Sequence, residues 1–114
     1  YIVTHADDDP ELASIPFILA TNALAMDIEP AIVLQSKGVM LAVKDFAHHV
    51  NFEGVMALKE MMDTYIESGH SLMVCSPCME KRKITQSDLI KGAEVVGAAR
   101  VHQEVLSSDA VMTY

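Results

Sequence analysis

Apolar residues along the chain fall into short continuous runs separated by longer stretches with helical spacing. The runs are Tyr1 to His5, Ala31 to Leu34, Leu72 to Val74, Ala93 to Val96 and Ala110 to Tyr114. Brief runs of this kind, bounded by turn residues, read as strands covered on both faces in a parallel sheet. Helical segments lie between them. Asp9-Pro10-Glu11 supplies an N-cap, a proline at the first helical position and an acidic first turn, and the helix it opens is uncharged from Leu12 to Met26. Pro16 either kinks that helix or moves its start to a Ser14 cap. Gln35 to Gly38 is a polar turn in which Gly38 allows close backbone approach, and Val39 to Val43 is a short helix. Further on, Val55, Leu58, Met61, Met62, Tyr65 and Ile66 recur at helical spacing opposite Lys59, Glu60 and Asp63, with Gly69 as the stop. Thr85-Gln86-Ser87-Asp88 has the form of a capping box opening a helix that ends at Gly92. A last helix over Gly97 to Leu106 turns Ala98, Val101 and Val105 inward. Strands alternating with helices predict an α/β fold, a single three-layer α/β/α domain on a five-stranded parallel sheet.

The uncharged helix changes this picture in one respect. A helix on the outside of a sheet keeps one polar face, whereas Leu12 to Met26 is apolar nearly all round and carries no charge. At ~25 cal/mol per Å², leaving several of Ile15, Phe17, Ile18, Leu19 and Leu24 in water forgoes several kcal/mol. A homo-oligomer that covers the helix is therefore expected.

Composition narrows the class. The 114 residues, 51% of them hydrophobic, suffice for one core. Eight basic against 16 acidic residues give a formal charge of −8, which disfavours nucleic acid phosphates and anionic membrane surfaces as partners. The uncharged stretch falls short of the ~18 residues of a membrane span. No signal-peptide pattern is present, and the two cysteines do not form the spaced framework of a small secreted domain, so a cytoplasmic protein with reduced thiols is expected.

Both cysteines fall in Leu72-Met73-Val74-Cys75-Ser76-Pro77-Cys78-Met79-Glu80-Lys81-Arg82, a strand, a sharp turn and a helix start. Partial positive charge at a helix start favours a thiolate, so a thiol titrating below its free value of ~8.5 is expected here. In open parallel sheets ligands bind outside the carboxyl ends of the strands. That rule gathers His5 to Asp9, Gln35 to Gly38, Cys75 to Cys78 and Gly97 on one rim. The candidate reactive residues are Cys75 and Cys78, with Cys75 as primary nucleophile because it ends a strand while Cys78 enters the helix. Candidate ligand contacts are His5, Gln35, Ser36, Gly38, Ser76, Arg82 and Gly97; Lys81 and Arg82 are cations able to hold an anionic sulfur species. No metal or cofactor is expected, since zinc needs about four ligands and His5, His48, His49, His70 and His102 show no ligand spacing with the thiols. Cys-Ser-Pro-Cys is similar to the thioredoxin motif, but no tryptophan precedes it and no proline follows Pro77 to face the cysteines.

The strand ending in Cys75, the segment from Lys83 to Gly97 with Asp88, Leu89 and Gly92, and the opening strand with its acidic helix start together resemble the DsrE/DsrF family over essentially the whole chain. That resemblance implies a five-stranded parallel sheet and an oligomer, a trimer or hexamer being favoured. In relay members of the family a cysteine at the end of the third strand receives sulfur as a persulfide and passes it to a partner, a role carried over to Cys75 alone. Cys78 lies outside the family's minimal pattern. Three activities follow: a sulfur carrier with a donor or acceptor protein as partner, a thiol-disulfide or peroxide-reducing enzyme in which Cys78 resolves an oxidised Cys75, and a non-catalytic oligomeric module that binds a small ligand.

Overall fold

The computed structural model describes residues 1–114. Its chain runs β1 (Ile2–Val3), α1 (Pro10–Ala25), β2 (Ile32–Leu34), two short 3-10 helices (Ser36–Ala42 and Phe46–His49), α2 (Leu58–Glu67), β3 (Leu72–Cys75), α3 (Ser76–Lys81), a 3-10 turn (Gln86–Asp88), β4 (Ala93–Val96) and α4 (Ala98–Ser107). The four strands pair in sequence order and all are parallel, with Val3 beside Leu34, Leu34 beside Val74 and Cys75 beside Val96. The sheet thus has four strands where five are expected. The fifth run contributes a single parallel bridge, Thr113 with Ile2, held by Ile2 N–H to Met112 O, Thr4 N–H to Tyr114 O and Tyr114 N–H to Ile2 O. Pairing on one edge alone, this segment stays largely exposed.

Right-handed crossovers that step the same way along a sheet leave their helices on one face, and a return step places the next helix on the other. Burial follows that division. One face carries the main core, in which Ile32, Leu34, Leu72 and Val74 meet Phe17 and Ala20 of α1 and Met61, Met62 and Tyr65 of α2. The other carries only Val33, Met73 and Val96, with Ile2, Ala31 and Val101 of α4 against them.

Local signals explain the elements. Asp9 caps α1, its Oδ1 accepting the Leu12 N–H at 3.0 Å, and Pro10 takes the first position. The helix continues through a buried Pro16, while Ser14 donates to the Pro10 carbonyl at 2.7 Å instead of capping. Gly69 ends the α2 segment at φ +96°, a left-handed conformation that suits glycine. Thr85 and Asp88 form the expected capping box, but it opens only one 3-10 turn, because Leu89 leaves in extended conformation to bridge Val43.

Cover for α1 comes largely from within the chain. Ala13, Phe17 and Ala20 are fully buried in the main core and Ile18 packs against it, while Leu12, Ile15, Leu19 and Leu24 are partly buried. The large apolar side chains that are exposed are Val105, Leu106, Val111 and Met112 around α4, Met26 and Ile28 after α1, and Val55 and Met56 before α2. Within α4, Ala98 and Val105 face solvent and only Val101 packs on the sheet, so the expected inward stripe is one residue wide. No helix is long and apolar enough to cross a membrane.

Candidate functional site

The carboxyl ends of β1, β2 and β3 open into a cleft of about 460 Å³ lined by Thr4, Gln35, Ser36, Cys75, Pro77, Cys78, Lys81 and Arg82. Parallel register brings these residues to one level although they are far apart in sequence. Cys75 is the last residue of β3 and the N-cap of α3, with Ser76 and Pro77 completing the turn into the helix. Both thiols are free and half-buried.

The loop after β2 is held against β1 by contacts that only glycine permits. A Cβ on Gly38 would stand 2.2 Å from the Val3 carbonyl oxygen. With that approach allowed, Gly38 N–H donates to Thr4 O at 3.2 Å and Gln35 N–H to Val3 O at 2.9 Å. Between them Ser36 takes φ +49°, an uncommon conformation for a residue with a side chain, and its N–H donates to Cys78 Sγ at 3.3 Å. Sparsely populated backbone of this kind persists only where surrounding contacts impose it, and it concentrates at functional sites.

Cys75 differs from its expected electrostatics. Burial pushes its thiol up, and the Cys78 thiol beside it adds to the rise; the Cys78 N–H and the Arg82 charge pull the other way without prevailing. The Cys75 side chain makes no capping hydrogen bond, and α3 is only six residues long, so the helix start supplies less than the sequence suggests. Arg82 is held in the cleft by a 3.0 Å hydrogen bond from Nη1 to the Cys78 carbonyl, and Lys81 stands exposed at its mouth.

Of the nine candidate residues, Gln35, Ser36, Cys75, Cys78 and Arg82 line the cleft, and His5, Gly38, Ser76 and Gly97 do not. His5 turns to Asp8, its Nδ1 2.7 Å from Oδ2. Against the burial that would raise it, the Ala6 N–H and His5 hold the Asp8 carboxyl below the usual carboxylate range. Lys37 closes that cluster, 3.1 Å from Asp7. Gly38 acts through the backbone as described, Ser76 is the first residue of α3, and Gly97 is the exposed N-cap of α4 past the end of β4. Thr4 is the lining residue that sequence reasoning missed. It follows β1 at the same rim, and its hydroxyl donates to Tyr114 O at 2.6 Å.

A larger recess of about 870 Å³ lies at the amino ends of the strands. It contains no cysteine, and its Arg100 pairs with Glu94 and Glu104. No cluster of three or more histidine, cysteine, aspartate or glutamate side chains suited to a metal ion occurs.

The DsrE/DsrF-like family model matches residues 1–114. The chain belongs to this family. An uncharacterized protein of Methanocaldococcus jannaschii, MJ0989, is 33% identical over 99% of this chain and 96% of its own. A second from that organism, MJ0760, is 30% identical over 85% of this chain, a match that spans 35% of the longer protein. Among solved structures, the YchN protein of Escherichia coli superposes with a TM-score of 0.74 at 19% identity, covering 99% of this chain and 96% of that one. MTH1491 of Methanobacterium thermoautotrophicum, a protein of unknown function, gives 0.66 at 20% identity, covering 99% and 97%. At these identities the two structures establish the shared fold.

Proposed function

We propose that this family member is a sulfur-handling protein of the cytoplasm that takes sulfane sulfur onto Cys75 and passes it to a cysteine of a partner protein. The observation that carries the reading is the place of Cys75, at the carboxyl end of β3 and opening into a cleft with Lys81 and Arg82. In the uptake step the Cys75 thiolate attacks the outer sulfur of a persulfide donor R–S–SH, the S–S bond of the donor breaks, and R–S⁻ leaves. The two cations suit a donor or product that carries negative charge. Incubation with glutathione persulfide tests this: sulfane sulfur is expected to leave the donor in proportion to protein, and Cys75→Ser is expected to abolish the uptake. Uptake that survives Cys75→Ser would sink the assignment.

A second reading is favoured by one observation, the presence of Cys78 on the same cleft: a thiol-disulfide or peroxide-reducing enzyme in which Cys78 resolves an oxidised Cys75. Peroxide consumption that requires both cysteines, with no uptake of sulfane sulfur, would select it.

The functional form in this proposal is a homo-oligomer, a trimer or hexamer. Its support is the apolar surface around α4, where Leu106 is 84% exposed beside Val105, Val111 and Met112. A solution mass near the 12.5 kDa of one chain would refute it.

A further inference from the structure

Resting on the carrier reading, we propose that this chain also empties itself: Cys78 attacks a sulfur-loaded Cys75 and releases the carried atom as hydrosulfide. A carrier that only relays sulfur needs one thiol and an acceptor on its partner. Here a second free thiol lies three residues on and lines the same cleft. The N-cap residue and the third residue of a helix face each other, the relation on which reciprocal capping contacts depend, and Cys75 and Cys78 hold those two places. Extended backbone at Cys75, φ −63° and ψ 114°, leaves its side chain free of the helix to turn toward the third position. The Ser36 N–H, fixed by a left-handed backbone, donates to the Cys78 sulfur and so keeps it in the cleft, where the loaded Cys75 would be.

The step balances without a further reactant. The Cys78 thiolate attacks Sγ of Cys75 in Cys75–S–SH, the bond between that Sγ and the outer sulfur breaks, and HS⁻ departs, leaving a Cys75–Cys78 disulfide. The sulfane sulfur gains two electrons, and each cysteine sulfur gives up one. Returning the disulfide to two thiols takes two electrons from a reduced dithiol, so repeated release depends on a dithiol reductant while one release per chain does not. The same carried atom thus has two fates: transfer when a partner thiol reaches the outer sulfur first, and release as hydrosulfide when Cys78 reaches the inner one.

Reduced protein given one equivalent of glutathione persulfide, freed of sulfide and of other thiols, tests this by intact mass and by trapping of hydrosulfide. Wild type is expected to release close to one hydrosulfide per chain and to end about 2 Da lighter as the disulfide, whereas Cys78→Ser gains about 32 Da, one sulfur, and releases almost none. Cys78→Ala provides the same comparison should serine disturb the turn. If wild type and both variants all keep the added sulfur and release no hydrosulfide, self-emptying is wrong and the carrier reading stands. If the Cys78 variants fold but take up no sulfur, the carrier reading fails, and this inference fails with it.

Discussion

Replacing Tyr65 by phenylalanine removes one oxygen from the core, and the structure sets both the size and the pH dependence of the effect. Tyr65 is 1% exposed; its hydroxyl accepts the Ile32 N–H at 3.1 Å and lies 3.4 Å from the carbonyls of Pro30 and Ser71. One side chain of α2 thereby ties the starts of β2 and β3 together. Phenylalanine fills the same space but leaves the buried Ile32 N–H without an acceptor, at a cost of ~1–3 kcal/mol. With a urea slope of about 2 kcal/mol per M, the unfolding midpoint should fall by roughly 0.5–1.5 M at neutral pH. Burial also pushes the hydroxyl up to about 12 from an ordinary 10. The folded state therefore holds this proton more tightly than the unfolded chain does, so the stability concerned is whole below pH 10 and is lost as pH rises toward 12. The loss is ~1.4 kcal/mol per pH unit across that interval, about 3 kcal/mol in all. Phenylalanine has no such proton. The gap between wild type and Tyr65→Phe should accordingly be full at pH 7, narrow above pH 10 and close or reverse near pH 12. Equal midpoints at pH 7, or a gap that stays constant through the alkaline range, would refute the reasoning.

Gly38→Ala sets a methyl group 2.2 Å from the Val3 carbonyl oxygen, and the loop must move away from β1; a loss of ~1–3 kcal/mol in denaturant titration is expected, with altered thiol labelling as the Ser36 contact to Cys78 slips. Since burial and the neighbouring thiol hold the proton on Cys75, its alkylation rate should still be climbing beyond the pH at which a free thiol titrates, and Cys78→Ser should move the profile toward lower pH; a rate already level at neutral pH would contradict this. Leu106→Asp should lower the mass seen by light scattering without lowering the stability of the single chain, because that side chain is 84% exposed; an unchanged mass would move the interface elsewhere.

Much of this was legible in the residues because the signals are local. Asp9 and Pro10 begin a helix wherever they stand before apolar residues, and Gly69 ends one. The rule that ligands gather at carboxyl ends brings Gln35, Ser36 and Cys75 together from sequence alone, and Gly38 at the end of a polar turn marks a close backbone approach. What stayed hidden depends on strand order, which apolar runs do not encode. Because β1 to β4 pair in sequence order, α1 and α2 share a face and cover each other, so an uncharged helix finds most of its shelter inside the chain. The same order puts the end of β4 furthest from β1, which is why Gly97 lies off the cleft while Thr4 lines it. The raised Cys75 thiol has a different origin: Pro77 marks a helix start in the sequence, whereas the burial of Cys75 and the brevity of α3 leave no local mark there.

The bridge between Thr113 and Ile2 has a consequence for how the molecule is made. The Thr4 hydroxyl donates to the carbonyl of Tyr114 across 110 positions, so one wall of the cleft is fastened by residues synthesised well after both cysteines. Contacts so remote in sequence are the slowest to form, since the chain entropy lost in closing the loop comes before any return from pairing. While the ribosome still holds those later residues, α1, β2 and β3 are free to assemble, but the edge beside β1 stands open. Both cysteines leave the tunnel before that edge is sealed, so a nascent chain has its thiols ahead of the finished cleft around them.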